Sequence, residues 1–184
     1  IRRQRQMCIR DSGLKELETV CWVLDICNAK VNDSCGFHVH MDAAGFNLDT
    51  WKNLTLTYKH LEHLIDAFMP RTRRNNTYCK TLSGVSDERI KSVRTIDGLR
   101  EVFNNDRYHK VNFEAYSRHR TVEFRQHSGT TNFTKMENWI RFLNGLITFA
   151  KRSSLPSRMT LEELPFLDGK QKLFFKLRTK KLAV

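Results

Sequence analysis

Two short segments far apart in the chain alternate apolar with polar residues, and this alternation limits the fold more than any other feature of the sequence. The first reads GFHVHMD (residues 36–42) and the second TVEFRQHS (residues 121–128). Because successive side chains of a β-strand point to opposite faces, a period of two predicts strands with one buried and one polar face. The polar faces would carry His38 and His40 on the first strand, and Thr121, Glu123, Arg125 and His127 on the second.

The rest of the chain shows mainly helical periodicity. Apolar residues recur every three or four positions over residues 14–27, 51–68 and 136–150, as in amphipathic helices. Ser12 is available as a cap for the first helix, and Pro70 ends the second. Shorter helices are expected over residues 86–93 and 95–104, and residues 108–113 are a weaker strand candidate. Together these elements predict an α+β fold.

The distribution of charge along the chain bears on whether the protein binds a nucleic acid or a small anion. The 184 residues are enough for one ordinary core, and the formal net charge is +12. Residues 1–12 contribute +3 and residues 151–184 contribute +6, which leaves +3 for everything between them. Within the middle, positive charge is concentrated at Arg71, Arg73, Arg74, Arg118, Arg120 and Arg125. This pattern suits a small anionic ligand at least as well as a nucleic acid, which would need a broad basic face.

Membrane proteins and disulfide-stabilised secreted proteins are disfavoured. No apolar run reaches the roughly 18 residues that a membrane span requires, and no signal-peptide pattern is present. The five cysteines are an odd number without a CxxC pair, so neither a disulfide framework nor a zinc knuckle is indicated. We therefore expect reduced thiols, a cytoplasmic location and no membrane partner.

The two polar strand faces define a candidate site if the strands are neighbours in one antiparallel sheet. His38, His40, Glu123 and Arg125 would then share a surface. A neutral imidazole and a carboxylate can hold a divalent cation, and a guanidinium group neutralises phosphate oxygens. A nucleotide with a divalent cation on its phosphates would bind both the imidazole–carboxylate groups and the guanidinium groups. The alternative is that the two histidines lie on a solvated strand face without a ligand.

Four ordered motifs resemble the amidoligases, a branch of the glutamine-synthetase-like carboxylate–amine ligases. The motifs are NDSCGFHVHMD, RRNNTYCKTL, DRYHKVNFEAYSRHRTVEFRQHSGTTN and MENWIRF, within residues 13–150. The resemblance implies a curved antiparallel sheet with helices packed on one face, that is, an N-terminally truncated glutamine-synthetase-like catalytic domain. It also implies that a carboxylate is activated with ATP as an acyl phosphate and joined to an amine, with Mg²⁺ or Mn²⁺ as cofactor.

The resemblance also suggests roles for individual residues. His38 and Glu123 would be metal ligands, His40 would contact the ATP phosphates or the metal, and Arg125 would stabilise the transferring phosphoryl group. Further contacts to the nucleotide or the substrate are expected from Arg73, Asn76, Tyr78, Arg120, His127 and Thr130. Arg120 departs from the glutamine-synthetase pattern, because it stands three residues before Glu123 instead of two.

The chain also departs from the family pattern upstream of the first motif. Family members carry an early strand with paired glutamates and a later ELVSP-like segment, and neither occurs here. We expect residues 1–12 to be a non-native start, residues 13–150 to be part of an amidoligase catalytic domain, and residues 151–184 to be a peripheral basic helical tail. The sequence therefore predicts a ligase that is inactive as this fragment, since one carboxylate cannot hold two or three divalent ions.

The expected partners are a small-molecule or peptide carboxylate and an amine, and a homo-oligomer remains open. The rival hypothesis is a basic nucleic-acid-binding module without catalysis, although nucleic acid is disfavoured by the charge distribution. The two hypotheses differ at Glu123. Its replacement by glutamine should abolish cation and nucleotide binding by a ligase, but should leave polyanion binding by a basic module unchanged or stronger.

Overall fold

A three-stranded antiparallel sheet forms the centre of the molecule. The computed structural model describes residues 11–183. Its strands are β1 (Gly36–Asp42), β2 (Val111–Asn112) and β3 (Thr121–Ser128), in the order β1-β3-β2. The two alternating segments of the sequence are therefore neighbours, as required for a shared polar face. The weaker strand candidate is reduced to β2, which is only two residues long.

Seven α-helices surround this sheet within residues 11–183, and the α+β class predicted from the sequence is confirmed. They are α1 (Asp11–Ile26), α2 (Leu48–Ala67), α3 (Asp87–Ser92), α4 (Ile96–Val102), α5 (Ala115–His119), α6 (Phe133–Ala150) and α7 (Gly169–Leu182). Short 3-10 turns occur at Arg71–Arg73 and Leu161–Glu163. None of these helices is both long enough and apolar enough to cross a membrane.

The helix ends follow local capping chemistry. The Asn47 side chain accepts a hydrogen bond from the Thr50 amide at the start of α2, and α2 ends three residues before Pro70. Ser86 and Thr95 cap α3 and α4 in the same way, as predicted. The expected cap at Ser12 is wrong, because α1 already begins at Asp11. Residues 1–10 of the predicted non-native start lie outside the described residues.

The core lies between the sheet and helices α2 and α6. Side chains from all three elements are almost fully buried there, among them Trp51, Leu54, Tyr58, Phe124, Trp139 and Phe142. The Tyr58 ring lies 5.8 Å from the Phe124 ring of β3. The apolar stripe of each helix therefore packs where the spacing of its residues predicts, and the sheet presents its other face to the candidate site.

The tail after Lys151 is helical but not peripheral. Phe175 of α7 is buried, and its ring lies 4.4 Å from the ring of Phe68 and 5.5 Å from that of Phe142. Arg178 donates a hydrogen bond from Nε to the Phe68 carbonyl at 2.7 Å. The expectation of a peripheral tail is thus wrong, because one aromatic residue anchors α7 to the core that α2 and α6 form.

Candidate functional site

The carboxylate of Glu123 is the centre of the candidate site, and side chains from all three strands contact it. His40 is paired with Glu123 across β1 and β3. Glu123 Oε1 lies 3.0 Å from His38 Nδ1 and 3.7 Å from His40 Nε2, and it accepts a hydrogen bond from Arg125 Nη1 at 2.8 Å. Asn112 of β2 donates from Nδ2 to the other oxygen, Oε2. The four residues that the sequence placed on one surface are therefore brought together.

These contacts hold Glu123 in its ionised form. Burial by itself would raise its pKa, but hydrogen bonds from His38 and Asn112 and the charges of Arg125 and His40 outweigh that effect. The result is a pKa of about 2, below the ordinary value of 4.5. The site therefore presents a fixed negative charge next to a guanidinium and two imidazoles.

A β-bulge between β1 and β3 determines where Arg125 points. Phe37 pairs with His127 and Val39 pairs with Phe124, so one residue of β1 faces two residues of β3, Arg125 and Gln126. The buried Arg73 guanidinium donates to the main-chain carbonyls of Arg125 and Gln126. Arg73 was expected to contact substrate or nucleotide, but its guanidinium is used to hold the bulge.

Gly36 leaves room for the ends of the His38 and Arg73 side chains beside the strand. A Cβ atom at position 36 would lie 2.8 Å from His38 Nε2 and 2.9 Å from Arg73 Nη2. A larger residue at this position would require the imidazole or the guanidinium to move away from the strand. The glycine that precedes the two histidines in the sequence is thus part of the site's construction.

His127 does not continue the row of Glu123 and Arg125. Beyond the bulge, the His127 ring packs 5.7 Å from the rings of both Phe37 and Trp139, and its Nδ1 lies 2.7 Å from the Ser128 carbonyl oxygen. Burial lowers its pKa to about 3, so the imidazole is neutral. The prediction that His127 shares the polar face is therefore wrong, because the bulge interrupts the alternation of side chains.

The loop before β2 brings Tyr78 near Arg125. Arg125 donates from Nε to the Tyr78 carbonyl at 3.5 Å, and the exposed Tyr78 ring packs edge to face against Tyr108 at 5.5 Å. The Arg125 guanidinium lies 5.6 Å from the centre of the Tyr108 ring. Asn76 shapes this loop, since its Oδ1 accepts from the Tyr78 amide at 2.7 Å. Tyr78 is thus placed beside the site, whereas the Asn76 side chain stabilises the loop.

Arg120 and Thr130 make contacts elsewhere. Arg120 ends α5 in the left-handed region with φ of 56°, and its guanidinium lies 4.7 Å from the centre of the Tyr116 ring. Thr130 Oγ1 accepts a hydrogen bond from the Asn132 amide just before α6. The nucleotide contacts expected for these two residues stay predictions.

A polar cavity of about 260 Å³ opens beside His40 and Glu123. The other lining residues are Asn105, Arg107, Asn112, Glu114, Ala115, Arg118 and His119. The His119 ring lies 6.0 Å from that of His40. The sequence patterns indicate no role for Asn112 or His119. The alternation of Val111 and Asn112 in the weak strand candidate is the one local sign that Asn112 faces the site. Helix α5, which carries Arg118 and His119, is not indicated by any pattern in the sequence.

A second polar cluster lies on the helix side of β3 and was also missed. Lys110 Nζ lies 2.7 Å from Asp66 Oδ1 and 3.6 Å from Glu62 Oε1. Gln126 donates from Nε2 to Asp66 and accepts at Oε1 from the Tyr58 hydroxyl at 2.7 Å. The periodicity of the helix and of the weak strand places these charged residues in the interior or at the edge of the core. Only the packing of the two segments shows that Lys110 pairs with Glu62 and Asp66.

The described residues do not form a complete resident metal site. Within residues 11–183, no group of three or more His, Cys, Asp or Glu side chains could hold a metal ion. Both oxygens of Glu123 already accept hydrogen bonds from protein donors. A hard divalent cation prefers about six oxygen ligands, so His38, His40 and Glu123 fall short of a protein cage. One carboxylate is nevertheless what Mg²⁺ commonly takes from a protein when a nucleotide supplies the phosphate oxygens.

Comparison with known proteins agrees with the motifs. Residues 7–147 match the sequence model of a family described as "Putative amidoligase enzyme". No curated protein and no solved structure matches the chain. The matched segment covers well over half of the chain and contains every residue of the candidate site. This chain therefore belongs to the amidoligase family.

Proposed function

We propose that the site around Glu123 serves ATP-dependent ligation of a carboxylate to an amine through an acyl phosphate. The observation that carries the proposal is the convergence of His38, His40, Arg125 and Asn112 on one ionised carboxylate beside a polar cavity. Membership of the amidoligase family supports the ligase class. The nucleotide, the metal and the acyl phosphate are our inference.

The proposed reaction has two steps that balance without a redox partner. A substrate carboxylate oxygen attacks the γ-phosphorus of ATP, the bond to the β-γ bridging oxygen breaks, and ADP leaves. The amine nitrogen then attacks the acyl carbon, phosphate leaves with the carbon–oxygen bond electrons, and the nitrogen loses a proton. The protein's task is to position the reactants and to stabilise the charge that develops on the phosphoryl oxygens.

Arg125 is suited to the second of these tasks. Its Nη1 is bound to Glu123, its Nε points to the Tyr78 carbonyl, and its main chain is held by Arg73. A guanidinium fixed in this way need not reorganise when negative charge develops, which is the condition for efficient transition-state stabilisation. His40 and the cavity residues Arg107 and Arg118 would neutralise further phosphate oxygens.

Mg²⁺ or Mn²⁺ would arrive with ATP, and Glu123 and His38 would bind it. The metal would supply neutralisation of phosphate charge. Because a single carboxylate holds such an ion weakly, we expect little turnover from this chain by itself. Binding of the nucleotide is therefore a sharper measurement than catalysis.

The test is isothermal titration of Mg–ATP into the wild-type chain and into Glu123→Gln. We expect measurable binding by the wild type and loss of roughly tenfold or more in affinity for the variant, because the ligand to the cation is removed. The matched control is Glu101→Gln, an exposed glutamate of α4. Equal ATP affinity for all three proteins would contradict the proposal.

A second measurement separates the ligase from the nucleic-acid-binding module. If the basic residues serve polyanions in general, Glu123→Gln should bind a single-stranded oligonucleotide as tightly as the wild type or more tightly. Under our proposal, oligonucleotide binding is weak for both proteins, and only Mg–ATP binding distinguishes them. Trapping with hydroxylamine, which converts an acyl phosphate to a hydroxamate, then tests the intermediate.

A further inference from the structure

Helix α1 is apolar on two opposite sides, and only one of them is covered in the monomer. Leu14 and Cys21 are buried, with Cys21 Sγ 3.6 Å from Met136 Sδ of α6. The opposite side carries Val20, Trp22, Val23 and Ile26, whose exposed fractions reach 63% at Trp22 and Ile26. A helix that is apolar around most of its circumference is normally buried. This α1 face, defined by these four residues, is therefore suited to contact with another surface.

Helix α7 presents a smaller face of the same kind. Phe175 anchors the buried side, while Leu173 and Leu177 on the other side are each 57% exposed. Four exposed lysines flank these leucines: Lys170, Lys176, Lys180 and Lys181. We call this surface the α7 face. Its two leucines lie one helical turn apart, as do Trp22 and Ile26 on the α1 face.

The two faces carry opposite charge. Residues 12–26 of α1 expose Glu16, Glu18 and Asp25 with a single lysine, Lys15. Helix α7 itself carries no acidic residue and exposes these four lysines, of which Lys176 Nζ lies 3.4 Å from Glu162 Oε1 of the preceding 3-10 turn. The acidic face is unusual in a chain with a net charge of +12. Opposite charges around the apolar residues favour contact between an α1 face and an α7 face. Contact between two α1 faces or between two α7 faces would bring like charges together.

The buried side of α1 contacts the first turn of α6, and charged residues of α7 lie near the same turn. Met136, which contacts Cys21 of α1, belongs to that turn. Its neighbour Lys135 has its pKa lowered by burial and by the charges of Arg178 and Lys181 of α7. Since α1 and α7 flank the same segment of α6, a twofold axis can bring each face of one copy against the opposite face of another. The same contact is then made twice.

We propose that two copies of this chain form a twofold dimer in which the α1 face of each copy packs against the α7 face of the other. Trp22 is the central anchor, because large aromatic side chains contribute most of the binding free energy at such interfaces. Anionic membrane binding by the α7 face would use the lysines and leucines but would leave the α1 face uncovered. This surface is separate from the Glu123 site and goes beyond the proposed function.

The first test is the oligomeric state of the full chain by sedimentation velocity over a range of concentrations. We expect a dimer whose dissociation constant rises with salt, because the complementary charges are screened. Trp22→Glu should raise that constant roughly 30-fold or more. Trp22 is the exposed one of three tryptophans, with Trp51 and Trp139 buried, so dimerisation should also shift the fluorescence to shorter wavelength. Val31→Glu, at an exposed apolar position outside α1, is the matched control and should dimerise normally.

A charge exchange provides the decisive test. Glu18→Lys with Asp25→Lys makes the α1 face basic, and Lys170→Glu with Lys176→Glu makes the α7 face acidic. Each double variant alone should be monomeric. An equimolar mixture of the two should form heterodimers, because both contacts of the mixed pair again join opposite charges.

Two results would overturn the proposal. One is a wild-type chain that stays monomeric at low salt throughout the concentration range. The other is a mixture of the two double variants that stays monomeric although each variant has the wild-type circular dichroism spectrum. A monomer that cosediments with phosphatidylserine vesicles, and loses that property in Lys170→Glu with Lys176→Glu, would identify a membrane surface instead.

Discussion

The two polar clusters on either side of β3 have similar components but different surroundings. The Glu123 cluster pairs a carboxylate with Arg125 beside a cavity, and its histidines His38 and His40 keep 34% and 42% of their side chains exposed. In the helix-side cluster, Lys110 is 1% exposed and bridges Glu62 and Asp66. The Glu123 cluster borders a cavity and is called the open cluster. The helix-side cluster buries its lysine and is called the sealed cluster, although Asp66 keeps 30% of its side chain exposed.

The pKa values follow the same division. The contacts around Glu123 lower its pKa to about 2, whereas burial raises the pKa of Asp66 despite its hydrogen bond to Lys110. A carboxylate held ionised beside a cavity is suited to bind cations or to orient a guanidinium. A carboxylate that burial disfavours in its charged form serves mainly to compensate a buried lysine. The comparison agrees with the proposed ligand-binding role of the open cluster and with a structural role for the sealed cluster.

The largest effect is expected from breaking the sealed cluster. Lys110→Met leaves Glu62 and Asp66 without their buried cation, which should lower the free energy of unfolding by about 3–5 kcal/mol. Denaturant titration followed by circular dichroism measures this change. Lys30→Met, at an exposed position, should stay within about 0.5 kcal/mol of the wild type. If Lys110→Met lowered the free energy of unfolding no more than Lys30→Met does, the sealed cluster would not be structural.

The next effect concerns the bulge that joins the two clusters. Arg73→Ala removes the donor to the carbonyls of Arg125 and Gln126, and we expect a loss of about 2–3 kcal/mol in the same unfolding measurement. The change should also weaken Mg–ATP binding, since Arg125 loses its support. Arg71→Ala, an exposed arginine of the same turn, is the control. Weaker nucleotide binding with unchanged stability would instead favour the direct ligand contact first expected for Arg73.

A smaller effect is expected at the open cluster. Asn112→Ala removes the hydrogen bond to Glu123 Oε2, which should cost about 1–2 kcal/mol and raise the pKa of Glu123. The carboxyl resonance of Glu123 in an NMR titration reports that pKa directly. A purely structural asparagine would change stability and leave the titration of Glu123 where it was.

The smallest effect is a change in acid sensitivity. Because the folded-state pKa of Glu123 is depressed, its contribution to stability is full above pH 4.5 and is lost as the pH falls towards about 2. Glu123→Gln should therefore lose less stability between pH 5 and pH 2 than the wild type. Parallel profiles for the two proteins would mean that the carboxylate is not held ionised as described.

Much of the fold followed from local patterns. The period of two identified β1 and β3, and capping residues such as Ser86 and Thr95 placed α3 and α4 correctly. Helix α5 was missed because it is only five residues long and has no side-chain cap hydrogen bond. The His60 side chain of α2 is 13% exposed, with its ring nitrogens 2.7 Å from Asp87 Oδ2 and 2.6 Å from the Leu155 carbonyl oxygen. Such contacts join segments distant in sequence, and no local pattern reports them.

The sequence by itself determined the α+β class, the two strands and the chemical types of His38, His40, Glu123 and Arg125, because strand alternation and side-chain chemistry are local properties. Only the tertiary structure decided that Asn112 completes the contacts to Glu123, that Arg73 holds the bulge, and that His127 packs in the interior. The physical reason is that one extra residue in a strand pair reverses which face the following side chains occupy. That residue becomes recognisable only when the partner strand is in place.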